Sequence, residues 1–493
     1  MMMKKQVAIF VLCMLASVAV CGAERLTLTL ADAMARARMS SVSAESALAR
    51  LRSAYWEYRT YRADLLPEVQ FGATVPSYHK QYSSYQNADG TYSFVPNNYL
   101  QLNGEISVTQ NIWLTGGKLS LNTSLDFMRQ LDGTVGNRYM SVPVALTLSQ
   151  PIFGVNTVKW NRRIEPVRYQ EAKAEFLSAT EDVAMQAIDL FFSLLIAREN
   201  RDIALQNKQN ATKLYEVAKE KRAMGRISKN DLLQMELNLI NAESSLTDCE
   251  SSVKSAMFAL CSFLDYGEGV EIDPVVPAQL GHIEVTYADA LEKALANNKF
   301  SKNIARRQLE ALYEVAKAKG DLRQIEMYAQ VGLTGTGNEF RRAYDPLKSN
   351  QIVEVGMKIP IVDWGKRRGK VKVAQSNLRL TESRLRMETQ EFNQNLFILV
   401  ERFNNQQQQL DLAARADTIA VKRYDTNVET FLVGKISTLD LNDSQSAKDE
   451  ARRNLLNALF LYWQYYYRIR SLTLWDYSGG CGIDADFNSL LRD

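Results

Sequence analysis

The sequence predicts a mostly helical protein that also carries membrane β-strands and contains two copies of a long helical hairpin. Two glycine-centred turns, 223–234 (AMGRISKNDLLQ) and 431–444 (FLVGKISTLDLNDS), each lie between very long helical runs. One constant sequence offset aligns the two turns at several identical residues. Segments in which apolar and polar residues alternate precede each hairpin, as expected for strands with two different faces.

Both hairpin turns belong to a larger internal duplication. When Tyr215 is set against Tyr424, four further identities follow: Gly225 with Gly434, Ile227 with Ile436, Ser228 with Ser437, and Asp231 with Asp440. LTLADAMARA, which begins at Leu28, recurs as VTYADALEKALA from Val285, with an offset about fifty residues larger than that of the hairpin turns. We therefore predict repeat 1 at 24–273, with an insertion before its hairpin, repeat 2 at 283–475, and a tail at 476–493.

The N-terminus has the pattern of a secretory signal peptide. Two lysines precede an apolar run at 7–20, and Ala23 offers a small residue for cleavage, so we expect residues 1–23 to be removed. Cys21 leaves open a lipoprotein, although Val20 before it is large for a lipidation site. No later apolar run of about 20 residues suggests a spanning helix.

Charge and composition exclude several other functions. A net charge of +3 over 493 residues makes nucleic acid an unexpected partner. His79 and His282 are the only histidines, and neither belongs to a cluster with ligand spacing. Cys249, Cys261 and Cys481 show no framework spacing, so no structural disulfide is expected. We predict no metal site, no cofactor and no enzymatic activity.

Alternation of apolar and polar residues predicts strands at about 68–152 in repeat 1 and 326–362 in repeat 2. From Leu100 to Ile112 most even positions are apolar and the odd positions are polar. Segments of about ten alternating residues suit a membrane β-barrel, and a soluble sandwich with one wet face is the alternative. Repeat 1 offers four strands, of which 100–128 form the extra hairpin, and repeat 2 offers two. The stretch 78–98 is interpreted as a polar, Tyr-rich loop.

Helices of unusual length follow the strands, and we predict hairpins at about 155–265 and 364–474. A helix of about 65 residues would be a rod of roughly 100 Å. A heptad row supports lateral packing of these rods: Leu232, Leu239, Leu246, Val253 and Leu260. Residues 404–409 (NNQQQQ) are interpreted as a solvated polar face.

Tryptophans mark one end of the predicted strands. Short turns of membrane barrels lie on one side, and long loops lie on the other. With that rule, the strands that end near Trp113, Trp160 and Trp364 run in the same direction, and the three indoles fall near one membrane interface, where aromatic residues concentrate.

The ordered, duplicated set of motifs resembles the TolC-type outer-membrane efflux and secretion channels over about 26–475. Its marks are the ADA helix starts (31–33 and 288–290), the joints SQPIFG (149–154) and IPIVDWGKRRG (359–369), and the tips MGRISKNDLL and VGKISTLDLND. This resemblance implies a homotrimer in which the strands close one shared transmembrane β-barrel and the helices form an α-barrel tunnel in the periplasm. It also implies a periplasmic adaptor protein and an inner-membrane pump as partners.

The strand number departs from the family pattern. The common form has four strands per chain, whereas this sequence offers six. All six would give a trimer with about eighteen strands and a wider pore; if the extra hairpin folds aside, four remain. The family architecture favours four.

The resemblance assigns the pore entrance to acidic residues of the second tip. Asp440 and Asp443 are three residues apart, so they share a helix face, and in a trimer they would form two rings of carboxylates that concentrate cations. Without the family resemblance, the sequence favours the alternative that both acids cap or flank a helix start, where the helix dipole favours negative charge. The match to the family's acidic entrance rings favours the rings.

Asp231 matches the family's aspartate that locks the closed entrance, where its partners are a tyrosine and an arginine. Here the aligned positions are Phe431 and Ile436, so that lock cannot form in the same way. We expect Lys435 or Arg226 to substitute as a point charge. The segments Gly225-Arg226-Ile227 and Gly434-Lys435-Ile436 are the expected adaptor contacts.

The predicted function is that of a passive exit duct in the cell outer membrane, which releases small molecules from a tripartite efflux system. An exit channel for type I protein secretion is the alternative, and a periplasmic coiled-coil scaffold without a pore is a third reading. Residues do not identify the cargo, the pump or the open state.

Overall fold

A computed structural model describes residues 25–131, 136–267, 269–322, 324–358, 362–432, 435–436 and 438–492. The predicted signal peptide, Cys21 and Gly434 lie outside these residues. Among the helices that are described, none has both the length and the apolar character that crossing a membrane requires.

The chain contains nine described α-helices and ten described β-strands. The helices are α1 (Leu30–Ser40), α2 (Val42–Ala63), α3 (Thr157–Ala223), α4 (Lys229–Phe263), α5 (Tyr287–Asn297), α6 (Lys299–Gly320), α7 (Lys366–Leu432), α8 (Thr438–Thr473) and α9 (Phe487–Leu490). The strands are β1 (Arg25–Leu28), β2 (Glu68–Gln86), β3 (Tyr92–Asn111), β4 (Lys118–Gln130), β5 (Gly136–Pro151), β6 (Glu271–Pro274), β7 (Gln324–Gly337), β8 (Lys348–Lys358), β9 (Trp475–Asp476) and β10 (Cys481–Gly482).

Two compact units divide the chain. Unit 1 comprises the residues through Leu51, Lys173–Ser301 and the chain from Gln390 onward. Unit 2 comprises Arg52–Ala172 and Lys302–Thr389.

In unit 1, the first helix of each predicted repeat begins with the same cap. Thr29 precedes α1, and its hydroxyl accepts a hydrogen bond from the amide of Asp32 at 3.2 Å. Thr286 precedes α5 and accepts one from the amide of Asp289 at 3.4 Å. Such a hydroxyl satisfies a backbone donor that the first helical turn leaves unpaired, so both ADA segments start a helix for the same reason.

The core of unit 1 lies between α3, α4, α7 and α8. Its largest buried side chains are aromatic and aliphatic: Phe191, Phe192, Leu260, Phe403, Tyr462 and Tyr466. In the predicted heptad row, Leu260 is fully buried, and Leu232, Leu239 and Leu246 are half-buried. Burial of apolar area, at about 25 cal/mol per Å², is therefore the main stabilising contribution in this unit.

A buried carboxylate joins three helices of unit 1. Glu181 of α3, whose side chain is only 3% exposed, lies 2.7 Å from Arg38 of α1 and 3.0 Å from Arg470 of α8. Arg470 also contacts Asp476 of the tail at 2.6 Å. Two guanidinium groups satisfy the acid, which otherwise would be costly to bury.

The polar stretch 404–409 is solvated only in part: Asn405, Gln408 and Gln409 are exposed, Asn404 and Gln406 are half-buried, and Gln407 is buried. Gln407 is 3% exposed, and its amide nitrogen donates to the Ile283 carbonyl at 2.7 Å while its oxygen accepts from the Ile283 amide at 3.1 Å. Asn404 donates to the Val285 carbonyl at 2.9 Å. These side chains satisfy the irregular backbone that precedes α5, which is why a helix core accepts them.

Unit 2 contains one antiparallel sheet with the strand order β2-β3-β4-β5-β7-β8. The predicted extra hairpin, β3 and β4, is thus part of this sheet and pairs with β2 and β5. The number of strands that each chain gives to a barrel stays a prediction. We call the end of the sheet at which β2 begins and β8 ends the inner end. The joint residues 359–361 lie outside the described residues.

The stretch 78–98 is also not a loop. β2 continues to Gln86, and β3 starts at Tyr92, so only a short turn separates them. β4 reaches β3 only as far as Tyr99, which leaves the outer part of β2 and β3 as a two-stranded ribbon. In this ribbon the polar and aromatic residues occur on both faces, so the sequence shows no two-residue alternation there.

Candidate functional site

The first hairpin tip closes α3 with a glycine turn. Gly225 has a φ of +69°, a left-handed conformation that residues with a Cβ rarely adopt. Its amide donates to the Arg222 carbonyl at 2.9 Å, and the Arg226 amide donates to the Lys221 carbonyl at 2.9 Å. These two bonds form a Schellman motif, which satisfies carbonyls that the end of a helix leaves unpaired.

The second tip repeats one of these bonds. The Lys435 amide donates to the Thr430 carbonyl at 3.1 Å, at the positions that align with Arg226 and Lys221. Lys435 is exposed and Ile436 is half-buried. Phe431 lies in the last turn of α7, and the position of its side chain is outside the described part of the chain. One backbone hydrogen bond is thus common to the described residues of both tips.

Asp231 belongs to a capping box at the start of α4. Its amide donates to the Ser228 hydroxyl at 3.1 Å, and its carboxylate accepts from the Ser228 amide at 3.1 Å. Hydrogen bonds from the hydroxyl and then the amide of Ser228 lower the pKa of Asp231. The described contacts of this carboxylate therefore lie within its own turn.

The other predicted residues of the first tip surround this box. Arg226 is exposed, and Ile227 is half-buried. The Ile227 carbonyl accepts a hydrogen bond from the guanidinium of Arg222 at 3.0 Å. Sequence analysis missed Arg222; the signal would have been a basic residue five positions before the carbonyl of a tight turn.

Asp440 and Asp443 lie in the first two turns of α8, and both are exposed. The carboxylate of Asp443 contacts the guanidinium of Arg423 on α7 at 2.6 Å. Asp443 is thus an acid with a partner in its own hairpin. Sequence analysis missed Arg423, because pairing between antiparallel helices depends on a register that periodicity does not reveal.

The sheet of unit 2 has one apolar face and one polar face at its inner half. A row of residues that lie opposite one another in register is apolar in five strands: Val69, Val108, Leu121, Leu146 and Val331. The neighbouring row, which faces the other side, is polar in the same five strands: Glu68, Thr109, Ser120, Thr147 and Gln330. Register therefore aligns the alternation of the separate strands into two continuous surfaces.

Trp113, Trp160 and Trp364 lie where strands give way to helices. Trp113 follows β3 and is 51% exposed, with the guanidinium of Arg162 4.4 Å from its ring. Trp160 is in the first turn of α3, 5.9 Å from the Tyr313 ring. Trp364 precedes α7 and is 96% exposed. The assignment of these three tryptophans to a membrane interface stays a prediction.

Among the described residues, no group of three or more His, Cys, Asp or Glu side chains could hold a metal ion. The cysteines Cys249, Cys261 and Cys481 are free.

Solved structures of outer-membrane channels share this fold. The Campylobacter jejuni CmeC outer membrane channel has a TM-score of 0.66 and 14% identity, over 93% of this chain and 88% of that one. VceC of Vibrio cholerae has a TM-score of 0.62 and 14% identity, over 92% and 97% of the respective chains. The open state of the Neisseria gonorrhoeae MtrE channel has a TM-score of 0.59 and 14% identity, over 92% and 89%.

A comparison with curated proteins gives no significant match. The family model described as "Outer membrane efflux protein" matches residues 34–264 and 291–473, which include both hairpins and more than half of the chain. With the fold and the duplicated tips in agreement, the chain belongs to the outer membrane efflux protein family.

Proposed function

We propose that this protein is the outer-membrane exit duct of a tripartite efflux system, a passive channel for small molecules. The observation that carries the proposal is the two-faced sheet of unit 2 on a chain with two like hairpins. A continuous apolar surface opposite a continuous polar surface suits a wall between lipid and water. The family match supports efflux as the process.

Three copies would form the duct. Among the residues that the structure describes, β2 and β8 each pair with a strand on one side only, and unpaired backbone donors and acceptors are costly in lipid. Closure of three sheets into one barrel would pair both edges of each copy. The long helices α3, α4, α7 and α8 would then line a tunnel in the periplasm, as they do in the family that the sequence resembles.

The second tip would form the periplasmic entrance. Rings of Asp440 and Asp443 would favour cations over anions in a narrow passage. The ion pair between Arg423 and Asp443 supports a role for charge at this level and compensates part of the negative ring. Asp231, with Lys435 or Arg226 as the opposite charge, would hold the entrance closed.

The two glycine turns would contact a periplasmic adaptor, which connects the duct to an inner-membrane pump. Gly225 gives the first turn its left-handed backbone, and Gly434 is the aligned glycine in the sequence of the second tip. Arg226 and Lys435 would supply charge, and Ile227 and Ile436 would supply apolar area. The shared backbone bond of the two tips supports this assignment, because one adaptor surface could then bind both.

Gene deletion with complementation tests the proposal. We expect the deletion strain to become more sensitive to toxic small molecules and the intact gene to restore tolerance, with secreted proteins unchanged. Loss of secreted protein with normal tolerance would assign the duct to protein secretion instead. If the purified protein formed no pore in planar bilayers, the duct would be excluded and the periplasmic scaffold would be the remaining reading.

A further inference from the structure

We infer that each copy contributes all six strands of its sheet, so that β8 of one copy pairs with β2 of the next in an eighteen-stranded barrel. This inference rests on the proposed function for the number of copies. It goes beyond the proposal by naming the pairing edges and the width of the wall.

The first argument is that apolar residues lie on the same face of the sheet at both of its edges, although the partner of Val331 in β8 is the polar Gln351. At one edge, Val69 and Phe71 of β2 are 68% and 74% exposed on the apolar face. At the other edge, Val353 and Val355 of β8 are 75% and 58% exposed. The register places Val353 opposite Ala329, on the same face. β3 and β4 carry the same surface between these edges, so they have the character of wall strands.

The second argument is the stagger of the strands. The polar row that starts at Glu68, the first residue of β2, passes through Thr109 of β3 and Thr147 of β5. β3 ends two residues inward of the row, and β5 ends four residues inward. The stagger grows in small steps across β3 and β4 and does not break there.

This stagger has the size that closure needs. Four residues at about 3.3 Å per residue are roughly 13 Å along the strands, and the three steps from β2 to β5 at about 4.8 Å are roughly 14 Å across them. If all inner ends lie at one membrane level, the strands tilt by about 40°, within the range of roughly 35–45° for membrane barrels. If the β3–β4 hairpin lay outside the barrel, closure of the barrel would not require its strands to follow this stagger.

The third argument is the fit of the two edges. In this antiparallel sheet β2 runs away from the inner end and β8 runs towards it, so the next copy's β2 continues the alternation of directions. When the inner ends of the two edge strands are aligned, Phe71 lies opposite Val355 on the apolar face.

The consequence is a barrel of larger diameter. Barrel diameter grows roughly linearly with strand number, so eighteen strands give a lumen about 1.5-fold wider than the twelve of the common four-strand form. The cross-section is then about 2.3-fold larger. The extra hairpin β3–β4 is therefore the segment that sets the width of the outer pore.

A density map of the full-length particle in lipid nanodiscs tests the strand number directly. We expect a trimer with eighteen strands in the wall. A trimer with twelve strands and β3–β4 outside the wall would overturn this inference and leave the proposed duct standing. A particle that is not a trimer, or that has no lumen, would overturn the proposed function itself.

Disulfide cross-linking tests the edges. In the double variant Phe71→Cys, Val355→Cys we expect oxidation to give covalent dimers and trimers on denaturing gels. The control Phe71→Cys, Val331→Cys places the second thiol on the interior strand β7, on the same face, and should give monomers. Equal cross-linking in both variants, or in neither, would contradict pairing of β2 with β8.

Deletion of 92–130 removes β3 and β4 and joins two segments that both lie at the outer end of the sheet. We expect the largest neutral polymer that enters from the outer side to shrink by about a third in diameter. An unchanged polymer limit in a folded trimer would contradict the inference. If this variant does not fold, the strand count and the cross-links decide.

Discussion

Arg423 of α7 and Asp443 of α8 form an ion pair of 2.6 Å between the two arms of the second hairpin. Both side chains are more than half exposed, at 51% and 67%. An exposed pair of this kind contributes less than about 1 kcal/mol to stability, because water and salt screen it. The ion pair therefore contributes little to the stability of the fold, and its main consequence is to neutralise one negative charge at the proposed entrance.

Arg423→Ala should therefore change ion selectivity more than stability. Each copy would present an uncompensated carboxylate at Asp443, so we expect a higher ratio of potassium to chloride permeability in planar bilayers, with the melting temperature almost unchanged. Arg423→Lys keeps the charge and should behave like the original protein. Equal selectivity in Arg423→Ala would show that Asp443 does not face the ion path.

Ser228→Ala should loosen the start of α4. The hydroxyl accepts the Asp231 amide, and removal of an N-cap of this kind costs about 1 kcal/mol. We expect a roughly five-fold fall in hydrogen-exchange protection, confined to the first turn of α4. Ser244→Ala, at an exposed serine further along the same helix, is the matched control and should leave protection unchanged.

The same turn should respond to acid. Hydrogen bonds from Ser228 lower the pKa of Asp231 in the folded state, so the charged carboxylate stabilises the turn above its unfolded pKa of about 3.9. That stabilisation is lost as the pH falls through the lowered folded pKa. Protection factors of the first turn should therefore fall below about pH 4. Asp231→Asn should abolish this pH dependence; a dependence that persists would point to another acid.

Glu181→Gln should destabilise unit 1 strongly. The substitution leaves the guanidinium groups of Arg38 and Arg470 next to a neutral amide in a buried position, and breaking a buried ion pair costs about 3–5 kcal/mol. We expect a clear fall in the midpoint of thermal unfolding. Glu175 is an exposed acid on the same helix, and Glu175→Gln should leave the unfolding midpoint nearly unchanged. Equal midpoints would mean that the arginines find other partners.

Gly225→Ala should impair the first tip without a steric clash. A Cβ at this position meets no atom within 4 Å, but the φ of +69° costs a residue with a side chain roughly 1–2 kcal/mol. We expect trimers to form and export to fall in a complemented deletion strain. Gly369→Ala, in the ordinary helix backbone of α7 with equal free space, should export normally. Normal export by both variants would argue against the first tip as a contact.

Strand existence was largely predictable, and strand partners were not. The alternation between Leu100 and Ile112 matches the inner half of β3, because a two-sided strand must alternate wherever its two faces meet different surroundings. The outer part of β2 and β3 has no such alternation, so Tyr82 and Phe94 looked like loop residues although they lie in a paired ribbon.

The tips show the same division. Gly225 and Asp231 could be placed on a turn and a helix start from their neighbours in the sequence. Their own bonds are local, between residues at most five positions apart. Arg423 and Asp443 are 20 positions apart, and their contact depends on how α7 and α8 lie side by side.

The order of residues alone determined the duplication, the long helices, the capped turns and the two-residue period of the strands, because each depends on neighbours along the chain. Only the tertiary structure decided that six strands share one sheet, that Glu181 lies between two arginines, and that Gln407 is buried. Those outcomes depend on which distant segments satisfy a backbone edge, a charge or an amide, and a local pattern carries no information about the distant partner.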